Sequence, residues 1–383
     1  MFWFWVLTAV AVVNLITALA AFVKRTLPPL RKHPPVTLIV RTWDDDHIVA
    51  RFIEGCLAQD YKGKLQIIIA DDASNDRTSE VVKPYVRAKK ILYIRAKQHH
   101  PWKAMFLNPI IRKHAKGDIL VNTDIDAILP PNYITEMVRS LQTCDAVSST
   151  CIGGNPTTWV SRVRIVEDIW LYAASMAGRT NLTRQAAMYG GSHAIRMDVL
   201  KKVGYYSTKT MVEDAELMAV LHEQGYSTCF CDRVTVLLED VETFRHFLNE
   251  RKRWLWGPID MAKYYGGFRP YNLVFAFNAL LSTTTLASAI LTIFNPAYAV
   301  PLGIGMLTLV LAFFKIRARV FAYPWIIPYI ILDPLIEAVA LLGVVKDALF
   351  GGGVKWVKVS GTKYHVGTPL VPVFSGEYPL PPQ

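Results

Sequence analysis

Charge is scarce in this chain. Of its 383 residues 19% are Asp, Glu, Lys or Arg, against roughly a quarter in soluble domains. Cysteine is scarce as well: five residues, few and odd in number, exclude a disulfide scaffold. Met1 to Val23 contains no charged residue, and Asn14 is its one strongly polar side chain. No internal repeat or low-complexity stretch is present. What is abundant is apolar: 52% hydrophobic residues exclude a disordered chain. The net charge of +11 collects beside apolar segments and no nucleic-acid module accompanies it, so no nucleic-acid partner is expected.

Met1–Val23 is long enough to span a bilayer and lacks the basic start and small-residue cleavage site of a signal peptide, so it reads as an anchor. Lys24, Arg25, Arg31 and Lys32 follow with no acid among them, which places the next domain in the cytoplasm. Apolar segments return at Tyr271–Phe294 and Pro296–Phe314, followed by Lys315, Arg317 and Arg319. A third, Tyr323–Val345, is broken by Pro324, Pro328, Asp333, Pro334 and Glu337 and reads as a span or a re-entrant hairpin. Lys355, Lys358 and Lys363 in the tail favour the inside, which conflicts with the parity of three crossings. The expected organisation is an anchor at 1–23, a catalytic domain at 35–240, an interfacial region at 241–270, apolar helices at 271–348 and a tail at 349–383. The expected location is the plasma membrane, with the catalytic domain cytoplasmic.

The middle of the chain has soluble composition. "VTLIV", "LQIIIA", "ILYIRA" and "DILVNTDID" read as buried strands, and "HIVARFIEGCLAQ", "TSEVVKPYV" and "AMFLNPIIRKHA" as the helices between them. That alternation predicts an α/β domain with a mostly parallel sheet, whose ligands bind beyond the carboxyl ends of the strands.

Acids stand at those ends. Asp71 and Asp72 close one strand, where they cap a turn or bind a base or ribose. Asp124 and Asp126 close another. Residues two apart in an extended segment point the same way, and two adjacent carboxylates call for a cation between them, Mg²⁺ or Mn²⁺. Glu213 and Asp214 open an amphipathic helix, where the dipole favours them and where an Asp can serve as general base. Arg251, Lys252 and Arg253 beside Trp254 and Trp256 suit a membrane-surface helix or a diphosphate clamp. The cysteines read as reduced core residues, His99 and His100 as a solvated loop in preference to an approach to the donor site, and the "NLT" sequon at Asn181 as unused.

Together these clusters resemble the membrane-bound glycosyltransferases of family 2: the cellulose, hyaluronan and poly-N-acetylglucosamine synthases and the ceramide glucosyltransferase group. The pattern D, DxD, ED, xxRW runs in order between apolar segments, over roughly Pro35 to Trp256. The resemblance implies a GT-A fold flanked by transmembrane helices. It implies a nucleotide site of Thr42, Trp43, Asp45, Asp71, Asp72, Lys103, Asp124, Arg251 and Arg253. It implies a metal on Asp124 and Asp126 and an acceptor site of Gly191, Ser192, Glu213 and Trp254. Asp214 matches the catalytic base. Arg41 stands where the family has proline, Asp44-Asp45 where it has Asn-Glu, Trp102 for glycine, and Glu250 for Gln or Arg. The implied reaction is an inverting single displacement from a nucleotide-diphosphate sugar, a UDP-sugar first among the candidates. The acceptor is a lipid or a growing polysaccharide, and membrane lipids surround the enzyme. The alternative is a non-catalytic membrane scaffold or transport component that keeps the fold.

Overall fold

A computed structural model of the chain describes residues 1–154, 157–186, 188–210, 212–239, 241–265, 270–316 and 320–350. These form two compact units.

The sheet unit comprises Arg25–Cys151 and Arg184–Leu238. Its strands are β1 (Val36–Thr42), β2 (Leu65–Asp71), β3 (Leu92–Arg95), β4 (Ile119–Thr123), β5 (Ala146–Gly153), β6 (Ser192–Arg196) and β7 (Thr228–Leu238), in spatial order 3-2-1-4-6-5-7. β1 pairs in parallel with β2 and β4, and β2 in parallel with β3. β6 runs antiparallel to both β4 and β5. The central strands are apolar along their whole length because both faces are covered: Leu38, Ile39, Ile68, Ile69 and Leu120 are wholly buried. Each such side chain stabilises the fold by about 1.5–3 kcal/mol. The connecting helices include α2 (Val49–Leu57), α3 (Thr78–Arg87), α4 (Lys103–His114), α5 (Tyr133–Ser140), α8 (Met197–Lys202) and α9 (Glu213–Glu223). The expected α/β domain with a mostly parallel sheet is therefore observed, and the strand and helix segments fall where the periodicity placed them.

The helical unit comprises Met1–Lys24, Ile152–Thr183 and the described residues from Glu239 on. Residues 152–183 lie inside the expected catalytic stretch in sequence, yet they pack here. This unit holds α1 (Phe2–Ala20), α6 (Trp159–Asp168), a π-helical turn at Ile169–Ser175, α7 (Met176–Thr183), α10 (Phe244–Tyr265), α11 (Pro270–Phe294), α12 (Ala299–Lys315) and α13 (Ile326–Leu349). Among the described residues three helices, Phe2–Ala20, Pro296–Lys315 and Tyr323–Leu349, are long and apolar enough to cross a membrane. Asn181 donates its amide to the carbonyls of Ala20 and Val23, at 2.8 and 3.0 Å.

The proline-broken last segment is a continuous helix. Pro324 sits in the 3₁₀ turn before α13 and Pro328 in its first turn, where backbone N–H groups lack helical acceptors in any case. Only Pro334 removes an interior bond. Arg317, Arg319 and the tail lysines Lys355, Lys358 and Lys363 lie outside the described residues.

Candidate active site

β1, β2 and β4 run parallel, so their carboxyl ends share one edge. The loops after β1 and β2 are bonded to each other there. Asp44 N donates to Ser74 Oγ at 2.9 Å, Asn75 N to Asp44 Oδ1 at 2.6 Å, and Asp46 N to Asp76 Oδ2 at 2.8 Å. Asp44 (φ 54°) and Ala73 (φ 63°) hold left-handed backbone, at a cost on the order of 1–3 kcal/mol each. Asp45 is buried, and its carboxylate accepts from Thr42 Oγ1 at 2.9 Å and Trp43 N at 2.8 Å. Thr42 and Asp45 thus shape the loop that presents Trp43.

Asp71 and Asp72 are both wholly buried. Asp71 accepts from the Tyr93 hydroxyl and from Ser74 N, the latter at 2.8 Å, with Arg95 Nε at 3.6 Å. Asp72 pairs with Arg41. It also accepts from His100 Nδ1 at 2.6 Å and His100 N at 3.1 Å, with His99 Nδ1 at 3.3 Å. The two histidines therefore belong to this carboxylate, which corrects their reading as a solvated loop. No sequence spacing announces the contact: β3 and its following loop bring them in.

Asp124 follows β4. Its carboxylate accepts from Lys103 Nζ at 2.8 Å. Lys103 is the first residue of α4, a position where the dipole and free N–H groups favour an anion, not an ammonium. Burial also opposes its charge, but the carboxylates of Asp124, Glu213 and Asp214 outweigh burial and hold the ammonium above the usual lysine range. The last two open α9, so β4, α4 and α9 converge on one polar group. Burial, with Asp214 adding to it, pushes Glu213 up to about 7 against the pull of Lys103.

The turn before β6 completes the group. Gly191 O accepts from Thr123 Oγ1 at 2.8 Å, which pins the turn to the end of β4. A Cβ at Gly190 would lie 3.0 Å from Asp214 Oδ2, and one at Gly191 would lie 2.8 Å from the Tyr189 ring. Gly191 is the tighter of the two, and at Gly190 a side chain would have to push the Asp214 carboxylate aside. Gly190 was not singled out in the sequence; the doubled glycine was the available signal. Ser192 stands apart: it is wholly buried, and its hydroxyl bonds Tyr133 and Ser149, each at 2.7 Å.

His193 lies beneath. Nδ1 faces the Tyr189 carbonyl at 3.0 Å, so it carries the proton, and Nε2 then accepts from the Tyr206 hydroxyl at 2.7 Å. Burial lowers His193 to about 4, with Lys103 acting in the same direction. The unfolded imidazole titrates near 6.5. Between those values the unfolded chain holds more protons, so stability is lost as pH falls from about 6.5 toward 4. His193→Gln is expected to remove up to about 1.4 kcal/mol per pH unit of that dependence, read as thermal midpoints of both proteins across the window.

Asp124 and Asp126 are half-buried, and the turn after β4 is closed by Ala127 N donating to Asp124 O at 3.2 Å. Among the described residues no three His, Cys, Asp or Glu side chains form a metal-ligand set. Two carboxylates still fit a hard divalent cation that completes its shell with substrate phosphates.

The xxRW residues lie in the helical unit. Arg251 is buried and pairs with Glu167, with Glu337 at 2.9 Å and with Asp333 at 3.5 Å. Arg164 pairs with Asp168, with Glu167 at 3.2 Å and with Glu250 at 3.2 Å. Trp254 lies 5.0 Å from each guanidinium, a cation–π contact with both. Arg253 is half-buried on the same helix. Glu250, which departs from the xxRW motif's usual Gln or Arg, is thus a partner in this network.

A mostly parallel sheet with β6 reversed, and an acid pair at the end of β4, agrees with the expected GT-A fold. Residues 37–204 match the family model for glycosyl transferase family 2. That stretch of the chain is what is similar to the family. The chain is 22% identical over 247 residues to a probable glycosyltransferase, YdaM, of Bacillus subtilis, covering 61% of this chain and 58% of that one. It is 23% identical over 225 residues to a poly-beta-1,6-N-acetyl-D-glucosamine synthase of Staphylococcus aureus, covering 58% of this chain and 54% of that one. The chain spans about half the length of the curated relatives it matches. Among solved structures it resembles the mannosyltransferase PcManGT of Pyrobaculum calidifontis in complex with GDP-Man and Mn²⁺. That likeness has a TM-score of 0.52 and 20% identity, and covers 81% of this chain and 98% of that one. At this identity it is a likeness of fold.

Proposed function

We propose that the chain is an integral membrane enzyme that transfers a sugar, with inversion, from a nucleotide-diphosphate sugar to a lipid or a growing polysaccharide. The observation that carries this is the convergence of Lys103, Asp124, Glu213 and Asp214 beside the Gly190–Gly191 turn. The group combines a cation for a diphosphate, an acid for a metal and an acid for a proton.

Asp214 accepts the proton of the acceptor hydroxyl as that oxygen attacks the anomeric carbon. The match of Asp214 to the family's single catalytic base supports a single displacement. Lys103 and the N-terminus of α4 meet the leaving diphosphate. Asp124 and Asp126 would hold a divalent cation, which supplies charge neutralisation of the leaving group when bound. Glu213 and the neutral His193 shape the field around Asp214. Trp43 and the loop bonds of Asp45 and Asp71 form the wall on the nucleotide side. Arg251 and Trp254 act within the helical unit, holding α10 to α6 and α13.

The test is nucleotide release by the full chain in detergent, with membrane lipid extract, Mg²⁺ or Mn²⁺, and a panel of nucleotide sugars. Metal-dependent release of one nucleoside diphosphate, absent in Asp124→Asn, is the expected result. An organic-soluble labelled product marks a lipid acceptor, and a ladder of lengths marks a polymer. Metal-independent release would overturn the assignment of Asp124 and Asp126.

A further inference from the structure

The acid that would take the divalent cation already holds a cation of the chain's own. Lys103 Nζ donates to Asp124 Oδ1 at 2.8 Å. Burial opposes the ammonium, and the carboxylates of Asp124, Glu213 and Asp214 outweigh it. The Lys103 side chain is 15% exposed and that of Asp124 47%, so the carboxylate is the open partner of the pair. A second cation at Asp124 arrives beside the first. Like charges a few ångström apart in a half-buried site repel strongly. The repulsion applies whether the newcomer displaces the ammonium from Oδ1 or binds the other oxygen.

Where the ammonium can go is set by its own helix. Lys103 is the first residue of α4, and the N-cap residue Trp102 puts no side-chain acceptor on the first N–H groups. Those groups and the ammonium suit one anion. The backbone ahead of them is pinned. His100 N donates to both Asp72 oxygens at 3.1 Å, and Arg41 Nη2 donates to His100 O at 2.8 Å. A lysine ammonium rides on a flexible four-carbon stem, so it can leave Asp124 while the helix stays in place.

We propose that Lys103 makes the divalent cation wait for the nucleotide: its ammonium opposes the cation at Asp124 until a diphosphate draws it to the start of α4. This role for Lys103 rests on the nucleotide-sugar reading above. Its consequence is an order of binding. The cation enters with the diphosphate or after it, because the diphosphate brings the negative charge that both cations share. Antagonism between Lys103 and the cation then turns into cooperation.

Lys103→Met keeps the length of the side chain and removes its charge, and it should act in opposite directions on the two ligands. The full chain in detergent is titrated with Mn²⁺ without nucleotide, and free Mn²⁺ is read by electron paramagnetic resonance. The variant is expected to bind Mn²⁺ about tenfold or more tightly than the unaltered protein, because a repelling charge is gone. In excess EDTA, calorimetry with UDP and with GDP should show the nucleoside diphosphate bound about tenfold or more weakly by the variant, because a charge-assisted contact is gone. Lys103→Arg, which keeps the charge, should stay within about threefold of the unaltered protein in both measurements. A lysine with a purely structural role would weaken both ligands or neither. One arm needs no variant. In the unaltered protein, Mn²⁺ should bind about tenfold or more tightly when UDP or GDP saturates the site, after allowance for the complex in solution. Mn²⁺ affinity that is unchanged or weaker in nucleotide-free Lys103→Met, or that is independent of nucleotide in the unaltered protein, would overturn this role alone. Failure of every nucleoside diphosphate to bind, with or without Mn²⁺, would overturn the nucleotide-sugar reading and this role with it.

Discussion

Asp214→Asn is expected to lower the rate of nucleotide release by about 10²- to 10⁴-fold, the span that a positioned general base contributes. Asparagine keeps the shape and the hydrogen bond that orients the side chain, in which Asp214 Oδ1 accepts from Ala215 N at 2.8 Å. It removes only the ability to take a proton. Nucleoside diphosphate affinity should therefore change little, because Lys103 and Asp124 remain in place. Losing one negative charge beside Lys103 and Glu213 should, if anything, ease Glu213 toward ionisation, since Asp214 is among the groups that raise it. Single-turnover rates and nucleotide calorimetry on the same preparation check both halves. A fall of less than tenfold would remove Asp214 from the base role, and Glu213 would be the next residue to replace.

Replacing Arg251 should act on stability instead. Its guanidinium is buried among Glu167, Asp333 and Glu337, and the last two lie on α13, a helix apolar enough to cross a membrane. Arg251→Ala leaves the buried Asp333 and the half-buried Glu337 without their cation, and Glu167 with Arg164 alone, a loss of about 3–5 kcal/mol by the usual cost of breaking a buried ion pair. Arg251→Lys restores the charge but not the fork, and should recover part of that loss. The measure is the thermal midpoint of the helical unit in detergent, alongside nucleotide affinity. A lysine variant with unchanged midpoint and weakened nucleotide binding would return Arg251 to the diphosphate, the role its motif resemblance implies.

The sheet was legible because parallel strands must be apolar throughout, and runs such as those ending at Asp71 and Thr123 have no other place to fold. The acids at Asp124 and Asp214 were legible because strand ends and helix starts fix their direction. What sequence reasoning missed came from long-range pairing. Nothing local assigns His100 to Asp72, 28 residues away. Nothing local assigns Arg251 to Glu337, 86 residues away. Ser192 was misleading for a simpler reason. Strand side chains alternate, so a polar residue beside a functional glycine has even odds of facing the interior.

The chain leaves the sheet unit after β5 and returns before β6, and these two strands are neighbours, with Ser148 opposite His193. Seen from the sheet, the helices at 152–183 are the contents of one hairpin loop. Closing a loop costs only about 0.6 kcal/mol more for each doubling of its length. Evolution can therefore rewrite that loop, lengthening, shortening or exchanging it, while β6 stays in register and the Gly190–Gly191 turn keeps its place against Asp214. Variation among natural homologues should concentrate in this segment, and a chimaera that carries a relative's loop between β5 and β6 should still form the donor-side sheet.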